Sequence, residues 1–94
     1  MAKIIVFSKK AYTDIDRIVE FNNFRNSSDT YSKKFVKNLY KHVKILGTHP
    51  LIGIVTDEPN ELLFIWDNYY VFYMVKDEAI EITSIYHHKE NVSR

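Results

Sequence analysis

The spacing of apolar residues changes once along the chain. From residue 9 to about 46 they recur every three or four positions; beyond residue 50 they alternate or run together. That change predicts helices first and strands afterwards. Ahead of both, KIIVFS is a short β-branched and aromatic run, read as a first strand. Ser8 follows, and its hydroxyl can accept the first free backbone N–H groups of a helix. Ala11, Ile15, Ile18 and Val19 then share one face at about 100° per residue. The polar stretch NNFRNSS is expected to interrupt this helix, with Ser27, Ser28 and Asp29 as caps for the next.

The second helix has the clearest pattern. Tyr31, Phe35, Leu39, Val43 and Leu46 form an apolar stripe, and Lys33, Lys34, Lys37, Lys41 and Lys44 project from the other side. Gly47 suits a left-handed C-cap, and Pro50 forbids continuation. The lysines read either as a solvated face or as a surface for an anionic partner. After them come LIGIV, LLFIW, YYVFYMV and AIEITSIY, four strand candidates punctuated by DEPNE, DN and KDE.

A two-residue hairpin across Asp67 and Asn68 sets Trp66 opposite Tyr69, Phe64 opposite Val71 and Leu62 opposite Tyr73. Those six share one face. Leu63, Ile65, Tyr70, Phe72 and Met74 take the other, so both faces are apolar and aromatic. Antiparallel sheets covered on one side usually alternate apolar with polar. Two helices packed on one face leave the second partly open, and such a patch is expected to be covered by another chain or a second copy. The alternative is that the helices splay to cover both.

Length and charge add bounds. Ninety-four residues make one domain, 1–94, with a modest core. There is no cysteine, hence no disulfide or thiolate chemistry. The opening apolar run is four residues, too short for a signal core or a membrane span, so a cytoplasmic protein with no membrane partner is expected. Residues 1–56 hold ten Lys/Arg against four Asp/Glu, whereas residues 57–90 hold two against eight. The first half suits nucleic acid or another anion; the second, taken alone, repels one.

Candidate chemistry gathers in YHHK, residues 86–89. A histidine titrates near pH ~6.5 and can serve as acid or base. Adjacent strand residues point to opposite faces, which argues against a zinc pair at His87 and His88. His42 and His49 complete no three-ligand set. No metal or cofactor is expected.

Three strings resemble the RelE/ParE toxin superfamily in order and spacing: IVFSKKAYTDIDRIVEF, HPLIG and DNYYVFYMVKDEAIEITSIYHHKEN. The resemblance spans nearly the whole chain. It implies an α+β fold of order β-α-α-β-β-β, an antiparallel sheet with an N-terminal helical hairpin packed on one face. It also implies the toxin of a type II toxin–antitoxin module, with a cognate antitoxin as partner and a homodimer as an option in its absence. Members act as ribosome-dependent mRNA endoribonucleases or as gyrase poisons, and both remain open, as does a degenerate member that only binds antitoxin. Tyr70 and Met74 stand where cleaving members carry basic residues. By the same resemblance, His87, Tyr86 and Lys89 are the candidate catalytic residues. Tyr70, His88, Lys37 and Lys41 are candidate contacts to ribosome, mRNA or gyrase, and Leu63, Ile65, Phe72 and Met74 are candidate antitoxin contacts.

Overall fold

The computed structural model describes residues 2–26 and 29–88. The elements run β1 (Ile4–Phe7), α1 (Lys9–Asn26), α2 (Thr30–Val43), α3 (Ile45–Thr48), β2 (Ile54–Val55), β3 (Glu61–Trp66), β4 (Tyr69–Val75) and β5 (Ala79–His87). One sheet joins all five strands in the order β1-β5-β4-β3-β2. The expected order of strand, helical hairpin and meander is present, with two differences. The strand expected at LIGIV is present as the two-residue β2, one more than the β-α-α-β-β-β order holds, and β1 runs parallel to β5, so the sheet is mixed rather than antiparallel. Parallel neighbours need a long crossover connection. Here the helices and the whole meander lie between them, and the last strand closes beside the first.

Ser8 caps α1 as expected: its Oγ accepts from the Ala11 N–H at 3.0 Å. The helix does not stop at Asn22. It continues to Asn26, because asparagine costs a helix only a few tenths of a kcal/mol and Asn22 and Asn23 have tertiary partners. Asn22 is buried against Tyr69, whose phenol it hydrogen-bonds, and Asn23 accepts from Ser32 Oγ at 2.6 Å. Ser27 and Ser28 lie outside the described residues. Asp29 occupies the N-cap of α2 but makes no side-chain cap; its carboxylate meets Lys33 Nζ at 3.2 Å.

The buried stripe of α2 is Ser32, Phe35, Leu39 and Val43, continued by Leu46 in α3. Tyr31, expected in that stripe, is half exposed, and the smaller Ser32 takes the interior position with its hydroxyl on the Val19 carbonyl. Gly47 does not adopt a left-handed conformation. It sits within α3 because a Cβ there would stand 2.5 Å from the Lys3 carbonyl oxygen, where β1 begins.

The meander register follows the expected pairing: Trp66 with Tyr69, Phe64 with Val71, Leu62 with Tyr73. Asp67 carries the positive φ, 53°, that the tight turn needs. Between Phe72 and Tyr73 the β4–β5 register shifts, leaving Thr83 as an extra residue in β5. Before this bulge Ile80 and Ile82 face the helices. After it Ile85 and His87 do, while Ser84 and Tyr86 face away. The core comprises Phe7 of β1, Ala11, Ile15 and Ile18 of α1, the apolar residues of the α2–α3 stripe, and Tyr69, Val71, Tyr73, Ile80, Ile82 and Ile85. Each fully buried aliphatic side chain contributes about 1.5–3 kcal/mol. Tyr73 also pins the approach to β2: its hydroxyl donates to the Pro50 carbonyl at 2.7 Å and accepts the Gly53 N–H at 3.0 Å.

Both helices therefore pack on one face of the sheet. The other face presents Ile4, Val6, Ile54, Leu63, Ile65, Tyr70 and Met74 alongside Glu61 and Glu81, and Ile54 and Ile65 are 56% and 50% exposed.

Candidate functional site

The far end of β5 is where chemistry-bearing side chains collect, and its geometry follows from how β1 ends. β1 pairs with β5 over Ala79–Ile82. Past that point the chain turns into α1, and side chains take over the ladder. Ser8 Oγ donates to the Thr83 carbonyl at 3.2 Å. Asp14 Oδ2 accepts from the Ile85 N–H at 3.0 Å, and the Arg17 guanidinium donates to the Ile85 carbonyl at 3.0 Å. Side chains along about two and a half turns of helix, Ser8 to Arg17, thus stand in for a missing strand.

Asp14 is almost fully buried, and a lone carboxylate there costs several kcal/mol in desolvation. Two cations offset this. Lys10 Nζ lies 2.9 Å from Oδ2 and the Arg17 guanidinium 2.7 Å from Oδ1. Lys10 also donates to the Tyr86 hydroxyl at 2.9 Å, with its ammonium 4.7 Å from the ring centroid; the Arg17 guanidinium is 5.4 Å from the same ring. Burial alone lowers the Lys10 pKa, but the contacts with Tyr86 and Asp14 outweigh it and the net direction is upward.

Tyr86 belongs to the open face, paired across the strands with Tyr70 and edge-on to Phe72 at 6.1 Å. His87 belongs to the helix face, edge-on to Tyr69 at 5.2 Å. β5 ends there. His88 lies in the following turn, its N–H bonded to the Asn68 carbonyl at 2.7 Å. Its ring is 4.7 Å from that of His87, so the two imidazoles lie side by side rather than on opposite faces. Strand alternation no longer applies once the strand has stopped.

A model of the ParE toxin of the type II toxin–antitoxin system, parDE, matches residues 5–92. The chain belongs to this ParE toxin family. Among solved structures, a chain of the chromosomal ParDE toxin–antitoxin system from P. aeruginosa has the same fold: TM-score 0.76 at 18% identity, covering 92% of this chain and 96% of that one. No curated protein sequence matches.

In this ParE-family chain the expected site residues do not all converge. Tyr86 and Tyr70 are brought together; His87 and His88 form a second pair on the other side of β5. Lys89 lies outside the described residues. Leu63, Ile65 and Met74 share the open face, as does Phe72, which is buried beneath Tyr86. Lys37 and Lys41 are exposed on α2, which presents its buried stripe to the core. An open groove of about 510 Å³ between α1 and α2 is floored by Val19 and Val36 and rimmed by Asp29, Lys33 and Lys37. Among the described residues no helix is long and apolar enough to cross a membrane.

Lys10, Asp14 and Arg17 were not identifiable as site residues from sequence alone. Their signal is the i, i+4 and i, i+3 spacing of opposite charges on one side of the first helix. That pattern usually marks a solvated ion pair; only the end of β1 makes it a buried one.

Proposed function

We propose that this chain is a toxin neutralised by a cognate antitoxin, and that it acts by binding and poisoning DNA gyrase rather than by cutting mRNA. The supporting observation is the division of Tyr86 and His87 between opposite faces of β5. Metal-independent RNA cleavage needs a base, an acid and preorganised cations around a single phosphate. A tyrosine and a histidine on opposite sides of a strand cannot serve one phosphate together. Glu61 and Glu81 on the open face further raise the free energy of placing RNA there.

The same open face suits the antitoxin. Ile4, Val6, Ile54 and Ile65 give an extended or helical segment apolar surface to bury on folding. Without antitoxin the face is offered to a second copy of the chain. The test is expression of the full chain, with mRNA integrity and gyrase supercoiling followed together. Growth arrest with stalled supercoiling and intact mRNA is the expected result; ribosome-dependent mRNA fragments overturn the gyrase assignment.

One observation favours a second reading. Tyr86 has both Lys10 and Arg17 beside its ring, a tyrosine flanked by two cations at the end of the open face. Cleavage centred there predicts that Tyr86→Phe abolishes mRNA cutting while His87→Ala does not.

A further inference from the structure

We infer that the outer face of α2 docks against the phosphate backbone of duplex DNA. The buried residues Ser32, Phe35, Leu39 and Val43 define the inward side of the helix. At 100° per residue, the arc directly opposite holds Thr30, Lys33, Lys34, Lys37 and Lys41, and Lys44 extends it past the helix end. Apart from Thr30 in the first turn, every residue of that arc is a lysine. From Lys33 to Lys44 the row is about 16 Å long at 1.5 Å per residue.

Four properties select the partner. α2 contains no acidic residue; Asp29 at its N-cap engages Lys33. The acids of the sheet lie elsewhere, Glu61 and Glu81 on the open face, and the exposed Asp16 and Glu20 belong to α1. The charged groups of the arc are all ammoniums, point charges without the planar forks or amides that read base edges, so it fits phosphates and carries no sequence preference. Single strands are bound with the help of stacking aromatics. The exposed aromatics of α2 are otherwise engaged, Tyr40 packed edge-on to Phe7 at 5.0 Å and Tyr31 hydrogen-bonded to Tyr69. A straight, regularly charged rod matches the regular phosphate row of a duplex. The choice of DNA over duplex RNA rests on the gyrase reading above; the contact with phosphates does not.

The experiment is fluorescence polarisation of a labelled mixed-sequence DNA duplex titrated with the full-length chain, without gyrase, from roughly 50 to 200 mM salt. With Lys33 shared with Asp29, about four phosphates are neutralised. The expected slope of log K against log salt is then about −4, on the order of a hundredfold weakening over that range. Lys37→Gln combined with Lys41→Gln makes the slope shallower by about 2. Lys76→Gln, on the sheet side, leaves it unchanged, and circular dichroism verifies that all variants fold. Absence of binding at the lowest salt, a slope untouched by the double substitution, or tighter binding to a single strand or an RNA duplex overturns the inference. Supercoiling assays on the same double variant keep the two ideas apart. Gyrase inhibition by a chain that never binds free DNA removes the docking surface and leaves the proposed target standing.

Discussion

A carboxylate taken out of water must be met by donors on every side, and Asp14 shows how closely this chain does so. Its oxygens are shared among the Ile85 N–H, Lys10 and Arg17. Replacing it strands a backbone donor and leaves two cations crowded together. Asp14→Ala is therefore expected to cost about 2–3 kcal/mol, read from the denaturant midpoint. Lys10→Gln costs less, since the ammonium is half exposed and Arg17 remains. Tyr69 gives a pH prediction. Burial pushes its phenol up from 10.0 to about 12, partly held back by the bond from Asn22. The unfolded chain therefore releases this proton first. Stability is complete below pH ~10 and falls as pH rises toward ~12, by about 2 kcal/mol. Burial raises Tyr73 and Tyr40 as well, which steepens the same alkaline loss. Denaturation curves alongside phenolate absorbance measure it; stability unchanged across that interval contradicts the burial of Tyr69.

At the scale of elements, β5 is two half-strands joined at Thr83. The first half is bounded by β1 and puts Ile80 and Ile82 into the core. The second is bounded by side chains of α1 and, after the bulge, puts Ile85 there. Thr83 is the residue that β4 leaves unmatched, so deleting it is expected to give a regular ladder with Ile82, Ser84 and Ile85 on their present faces. The cost is that of the hydrogen bonds Thr83 makes with Ser8 and Phe72, about 1–2 kcal/mol, with a cooperative thermal transition retained. A deletion variant that no longer melts cooperatively shows the bulge to be required. The bulge leaves a trace in AIEITSIYHH, whose isoleucines pass from even positions, 80 and 82, to an odd one, 85, a change of phase that one extra residue produces. The long first helix left no such trace. Its asparagines are poor helix formers alone and acceptable ones once Tyr69 and Ser32 supply partners.

For the whole molecule, the layering leaves one sheet face with no covering helix. Ile65 is half exposed at the centre of that problem. Ile65→Lys is expected to change stability by less than ~0.5 kcal/mol yet weaken antitoxin binding at least about tenfold, measured by calorimetry with growth arrest retained. Unaltered affinity moves the antitoxin to another surface, the α1–α2 groove being the alternative. The molecule is also polar in its charge: lysines line the outer helix face, and Glu61 and Glu81 sit on the open sheet face. A polypeptide on the sheet and an anion on the helix need not compete.

Local periodicity was enough to place the helical hairpin, the capping Ser8, the Asp67 turn, the β3–β4 register and the two apolar faces. These depend on neighbours within a few residues, and a period of 2 or 3.6 records them directly. Tertiary structure alone decided the parallel pairing of β1 with β5 and the burial of Asp14 among its partners. Both join residues from opposite ends of the chain. Whether a charge is solvated or sealed depends on what the distant segment leaves uncovered, and no local spacing carries that information.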